Sequence, residues 1–371
     1  MDNIKKFNLF VFLATFTRNL IEVFIPLILY NRGLTIDYIF LFLLLYYFFS
    51  SLLNFPLTFL SKRITFKWLI IISSFFISLS YYLLFLFPLT ILILILIVFT
   101  HIINSHTYWL SRHYFALEVL SIKEIGLGVG KIIIFSELGL IPASYLGALL
   151  ITYLNFKYVL LIVIMMYLIT ISPLFTLKER NKKKLSLDDG YKEIIKTIPK
   201  RNIYFYFLVQ FRMIARYIFP LYIFIYVESN YKFVGIFNTL VGISSLFFVY
   251  FYSKKLDKEK KDYLILSSIL LGIVWILKLN IFSSFIILII AFLEGLVEKM
   301  YETTYNYNNY SLGLNYNSLA FVSYLEGLQN FFRAIIILIV IIFIKDLIIF
   351  LYLSSFMLII SSLIGFDKSF N

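Results

Sequence analysis

The chain has 371 residues, of which 61% are hydrophobic and 14% charged, with no cysteine and a formal net charge of +13. So much apolar surface exceeds what a soluble core can hide, which leaves the lipid bilayer as its solvent, and without cysteine neither disulfides nor thiolate metal sites are available. A basic surplus would suit nucleic acid, but here it gathers in loops between apolar runs, which is a mark of membrane topology and excludes nucleic acid as the expected partner.

Lys5 and Lys6 precede an apolar run over 7–30 that lacks a small-residue cleavage site, so it predicts a retained spanning helix rather than a signal peptide. Eleven more runs of about twenty residues or longer, the length a bilayer core needs, follow at 37–60, 68–87, 89–110, 125–153, 157–177, 203–227, 233–252, 263–280, 284–303, 316–344 and 346–366. Six fall on each side of 178–201, where the Lys182–Lys184 cluster leads to an Asp188-Asp189-Gly190 turn and a short amphipathic piece over 191–197. The pattern predicts an all-α polytopic membrane protein: two pseudo-symmetric six-helix bundles, 1–177 and 202–371, joined by a basic linker with an interfacial helix at 178–201. Glu302 and the Asn/Tyr-rich stretch 305–317 are expected in the turn and loop after the tenth run.

A repeat supports the division. Arg18, Glu22, Pro26 and Leu27 recur in spacing as Arg212, Arg216, Pro220 and Leu221, the stretch 59–64 is echoed at 251–256, and Ser136-Glu137 at Leu325-Glu326. Duplicated halves with ionisable residues inside apolar helices are a signature of secondary transporters.

With an even number of spans the termini share a side. Loops on that side hold 22 of the 33 Lys and Arg residues, the opposite loops hold five (Arg32, Lys157, Lys232, Lys278 and Lys345), and Arg18, Lys131, Arg212, Arg216, Lys299 and Arg333 fall within spans. The bias predicts cytoplasmic termini in a cell membrane, with the basic loops lying against the bilayer surface.

Ions inside a bilayer are costly unless they face a partner or a cavity. Arg18 and Glu22 sit in the first run, His101 and His106 in the fourth, Lys131 and Glu137 in the fifth, and Arg212 and Arg216 in the seventh. The tenth carries Glu294, Glu298, Lys299 and Glu302, and the eleventh Glu326 and Arg333, whereas the third, sixth and twelfth carry none and the ninth only Lys278 at its end. Positions four apart share a helix face, so Arg18 with Glu22, Arg212 with Arg216, and Glu294 with Glu298 are neighbours; Glu326, Asn330 and Arg333 form a stripe. Setting Arg18, Lys131, Arg212, Arg216 and Arg333 against Glu22, Glu137, Glu294, Glu298 and Glu326 gives five cations and five anions, which suits mutual pairing.

This distribution resembles the major facilitator superfamily, in which the third helix of each triplet faces lipid. The stretch 58–67 resembles the family's G-x-x-x-D-R-x-G-R-K loop: Arg63 and Lys67 match, while Lys62 stands at the acidic position and Thr58 and Thr65 at the glycines. His101-Ile102-Ile103-Asn104-Ser105 resembles its R-x-x-Q-G element, with His for Arg. Gly139, Pro142 and Gly147 are similar to an exporter motif in composition but not in spacing, so they give no direction of transport. The resemblance implies two six-helix halves around a central cavity, a symporter or antiporter working as a monomer, and no cofactor.

The expected function is movement of a small polar, anionic or amphiphilic solute by alternating access, coupled to protons. Arg18, His101, Asn104, Arg212, Arg216, Glu326, Asn330 and Arg333 are the candidates for contact with solute. Glu22, Glu137, Glu294, Glu298 and Lys131 are the candidates for proton coupling or gating, with Glu294 and Glu22 first because they lie nearest mid-span. Trp109, Arg112 and His113 read as interfacial anchors. A lipid or polysaccharide-precursor flippase is the alternative. An integral-membrane transferase is the reading from another class, and none of the catalytic motifs such an enzyme needs occurs in a suitable context.

Overall fold

The first apolar run does not fold as one helix. In the structure, a computed structural model that describes residues 3–119, 125–176, 187–259, 263–281 and 283–367, α1 (Asn3–Asn19) ends just after Arg18, a 3₁₀ turn covers Glu22–Phe24, and α2 (Ile25–Asn31) completes the crossing. Pro26 lies in the first turn of α2, where its missing N–H breaks no helical bond, so it starts the second helix cleanly. The corresponding Pro220 falls inside α9 (Lys200–Tyr222), which then widens to a π turn over Ile223–Val227. The two copies of the repeat therefore keep the proline and resolve its lost hydrogen bond differently.

The remaining helices are α3 (Ile36–Ser61), α4 (Phe66–Leu86), α5 (Ile91–Val119), α6 (Ile125–Tyr153), α7 (Phe156–Ile171), α8 (Leu187–Thr197), α10 (Tyr231–Glu259), α11 (Leu264–Leu279), α12 (Ser284–Gly313), α13 (Ser318–Ile339) and α14 (Leu347–Ile364). Among the described residues ten helical segments are long and apolar enough to cross a membrane. α11 is shorter, at 16 residues, and α12 carries four ions along its 30 residues; these two complete the twelve crossings. Two boundaries differ from the sequence reading. α8 begins at Leu187, so Asp188, Asp189 and Gly190 form its first turn, where acidic side chains suit the positive end of the helix dipole. α12 continues through Tyr310 to Gly313 instead of giving way to a loop, because its polar residues find partners in the bundle: Thr304 bonds Tyr252, Asn309 accepts from Tyr206, and Tyr310 meets His113. The Lys178–Lys184 cluster, Lys123 and Lys368 lie outside the described residues.

The helices pair in the same way in each half. In the first, α1 packs on α6 and α7, α5 on α3 and α4, and α4 on α7; in the second, α9 packs on α13 and α14, α12 on α10 and α11, and α11 on α14. Exchanging each span for the one six further on maps every one of these pairings onto its counterpart, which is the pseudo-symmetry the sequence repeat foretold. Two seams join the halves, α3 against α13 and α6 against α10. α4, α7, α11 and α14 turn large apolar side chains such as Phe75, Leu161, Leu266 and Phe356 outward, to lipid.

Close helix approach depends on small residues. A Cβ at Gly147 would lie 2.8 Å from the Leu20 carbonyl carbon, and one at Gly139 would lie 3.0 Å from the Phe16 nitrogen, so α6 can rest backbone to backbone on α1 only with glycine at both places. That contact sets the depth of α6 and, with it, the position of Glu137.

Candidate functional site

The ionisable residues converge in four groups, two of them at the seams between the halves and one inside each half. The largest lies between α6, α9 and α12. Arg212 and Arg216, one turn apart on α9, both reach Glu298: Arg212 through its Nη2 and Arg216 through Nη1 at 3.1 Å. Arg216 also stands 3.9 Å from Glu302, which pairs with Lys299. Lys299 Nζ is in turn 2.8 Å from Oε1 of Glu137, the carboxylate that the first half contributes. Three cations and three carboxylates thus form one neutral chain. Taking each ion out of water costs several kcal/mol, so such a group persists only because every member has an opposite charge within reach. The Arg212 guanidinium additionally lies 4.5 Å from the Tyr301 ring. Arg212 Nε and Glu298 Oε2 are buried and make no protein hydrogen bond, so the group keeps unused bonding capacity.

A second pair lies wholly within the second half. Lys278, 1% exposed, places Nζ 2.6 Å from Glu294 Oε1, between the rings of Phe219 at 3.4 Å and Trp275 at 4.1 Å. The sequence reading put Lys278 in a loop; the structure buries it because the end of α11 packs against α12 and α9. Glu294, ranked first as a proton carrier, is the counter-ion of this lysine, the pair joining α11 to α12.

In the first half Arg18 and Glu22 pair across the end of α1, as the spacing of four predicted. The Arg18 guanidinium lies 4.8 Å from the Tyr108 ring, and with Asn104, Tyr108 and Tyr167 it lines a small cavity inside the half. Asn104 meets the Ser73 hydroxyl of α4 at 2.8 Å, so it is held within its own bundle. His101 packs edge-on to Tyr46 of α3, with ring centroids 5.3 Å apart.

The fourth group lies on the α3–α13 seam. Asn330 bonds Ser50 across it at 3.0 Å, and Arg333 stands over the Tyr47 ring at 5.3 Å. Glu326 lies 3.8 Å from His113, whose Nδ1 is 2.7 Å from the Tyr310 hydroxyl. His113 is thus a bridge between halves and not an interfacial anchor. Between Ser50, Ser105, His106, Trp109, Glu326 and Asn330 is a polar cavity with room for about one water molecule.

Lys131 does not belong to any of these groups. Its position on α6 is exposed, two turns from the helix start, because the face of α6 that carries Glu137 is a different one. Its place in the balance is taken by Lys278 and Lys299, with Glu302 added to the acids, so six cations (Arg18, Arg212, Arg216, Lys278, Lys299, Arg333) stand against six carboxylates (Glu22, Glu137, Glu294, Glu298, Glu302, Glu326). Arg63, in the turn after α3, is exposed and lies 5.9 Å from the Phe59 ring; Lys67 is half-buried near the start of α4. Gln210, fully buried on α9 and bonded to Arg333 at 2.7 Å, escaped the sequence reading. Its only signal was an amide inside an apolar run.

Contacts also close the seam at both of its ends. At the end away from the termini Asn31 donates to Tyr231 at 2.6 Å and Lys232 bonds Tyr153. At the end near the termini Ser323 of α13 gathers Asn54, Thr58 and Tyr191, the last from α8, at 3.1, 2.7 and 2.8 Å.

Two like helical halves enclosing a seam of neutralised ions define a membrane carrier. The chain belongs to the Major Facilitator Superfamily, whose family model matches residues 7–312. Two solved structures are similar to it over 98% of both chains: a bacterial homologue of the iron transporter ferroportin in an outward-facing state (TM-score 0.69, 10% identity) and the transporter FucP in an outward conformation (TM-score 0.65, 11% identity). At such identities they share its fold. No curated protein matches the sequence. Membership makes the protein an integral membrane transporter that exposes its centre alternately to the two sides, not an enzyme.

Proposed function

We propose that the protein is a proton-coupled symporter or antiporter of a small polar or anionic organic solute, acting as a monomer in the cell membrane with both termini cytoplasmic. In this reading 1–177 and 202–371 are the moving halves and 178–201 the cytoplasmic linker. The observation that carries it is the buried contact between Glu137 of α6 and Lys299 of α12, an ion pair that crosses from one half to the other. Neutralising Glu137 with a proton removes its hold on Lys299, which keeps Glu302 as partner. Parting of the halves then exposes no unpaired lysine. A pair that forms in one state and breaks in another biases a two-state carrier by its differential energy.

Arg18, His101, Arg212, Arg216, Asn330 and Arg333 are the groups we assign to the solute, with Arg216, whose side chain is 40% accessible, the readiest of the α9 cations. Glu22 is a second proton site beside Arg18. Among the described residues no group of three or more His, Cys, Asp or Glu side chains is placed to hold a metal ion.

The test is solute-driven proton movement in proteoliposomes carrying a pH-sensitive dye. A solute transported by the protein should move protons with it, and Glu137→Gln should uncouple the two fluxes. Transport that moves no protons and is indifferent to Glu137→Gln overturns the coupling.

A further inference from the structure

Among the described residues Arg333 differs from the other cations of the ion groups. Arg18, Arg212, Arg216, Lys278 and Lys299 each have a carboxylate within 4 Å. Around Arg333, among the described residues, the acceptors are neutral amides: Gln210 Oε1 takes Nε at 2.7 Å, Asn330 Oδ1 takes Nη1 at 3.0 Å, and Gln329 Oε1 lies 3.5 Å from Nη2. Glu326, the acid that balances it by number, lies seven residues back on α13, about 10 Å by helical rise; its charge is felt at Arg333 across that distance, but its direct contact is with His113.

The cradle is fixed in advance. Gln210 is fully buried and its amide nitrogen donates to the Tyr206 carbonyl at 3.0 Å, which turns its oxygen to Arg333. Asn330 donates to Ser50 of α3 at 3.0 Å, which does the same. Both orienting bonds are spent on keeping the guanidinium in place. A guanidinium has five N–H donors, and three are engaged here, which leaves one on each terminal nitrogen. Two parallel N–H groups are the geometry that binds two oxygens of one carboxylate or phosphate. The cation also sits on the seam: its neighbour Asn330 lines the polar cavity shared by α3, α5 and α13, and the Tyr47 ring of the opposite half covers its face.

We propose that Arg333 is the recognition residue for an oxyanion head group, carboxylate or phosphate, on the transported solute. The proposal rests on the carrier reading above and narrows its solute to an organic anion. Neutral amides hold the guanidinium and, among the described residues, no carboxylate touches it, so an entering oxyanion finds an oriented, half-buried cation with N–H groups to spare, which the carboxylate-paired arginines do not offer.

The experiment is calorimetric titration of the purified full chain with benzoate, with glycerol phosphate and with neutral benzamide. At least one oxyanion should bind and benzamide should not; benzoate alone assigns a carboxylate, glycerol phosphate alone a phosphate. Arg333→Gln should weaken binding of that oxyanion at least ~30-fold, the loss expected when one partner of a buried charge pair is removed. Arg333→Lys, which retains the charge and loses the fork, should weaken it about tenfold and keeps the test alive should the glutamine variant not fold. Oxyanion affinity unchanged in either folded variant, no oxyanion binding by the parent protein, or equal binding of benzamide overturns the proposal. A parent protein that moves neutral solutes with protons would leave the carrier standing and remove Arg333 alone.

Discussion

Replacing Glu137 with glutamine keeps the shape of the side chain and removes the charge that ties α6 to α12. Glu137 and Lys299 are 4% and 2% exposed, so the pair is dry. Removing one member of a buried pair costs about 3–5 kcal/mol when the survivor is left alone. Lys299 is not left alone, since Glu302 contacts it, and half of that figure, ~2 kcal/mol, is the reasonable expectation. On a two-state equilibrium this is a shift of roughly 30-fold away from the arrangement in which the halves are joined here. The absence of cysteine makes the shift easy to read. Lys131 and Lys254 are exposed near the adjoining ends of α6 and α10, and spin labels on cysteines at these two positions report the separation of the seam. The parent protein should show a short distance and Glu137→Gln an added longer one. Lys299→Met in the same chain should restore the short distance, because removing both ions leaves neither uncompensated and Glu302 retains Arg216. An unchanged distance distribution in Glu137→Gln would refute the reasoning, since it would mean that the pair contributes nothing to holding the halves together.

Two further outcomes follow from packing within the halves. Lys278→Met strands Glu294 beside apolar rings and should lower stability by about 3–5 kcal/mol, while adding Glu294→Gln should recover most of it, as measured by unfolding in detergent; equal stability of the single and double variants would show that the two residues do not depend on each other. Gly147→Ala drives a methyl group into the Leu20 carbonyl and should cost about 1–3 kcal/mol, whereas Gly242→Ala meets only the side chains of Ile141, Leu140 and Glu137 and should cost less. The reverse order, read from melting temperatures, would contradict the backbone contact of α6 with α1.

Hydropathy set the twelve crossings, and the repeat at Arg18 and Arg212 set their division into two halves, because both depend on distance along the chain alone. The same local rule found the Arg18–Glu22 pair, since four residues on one helix are neighbours wherever the helix goes. It could not find the partner of Glu294, sixteen residues away on α11, nor that of Glu137, on a helix of the opposite half. Nor could it tell that Lys131 turns outward while Glu137, six residues on, turns in, or that α12 stays helical to Gly313 once Tyr206, Tyr252 and His113 satisfy its polar side chains. A sequence records the period of each helix but not its rotation against its neighbours. In a bilayer that rotation decides which ions meet, and so which residues pair off and which, like Arg333, are held by neutral amides instead.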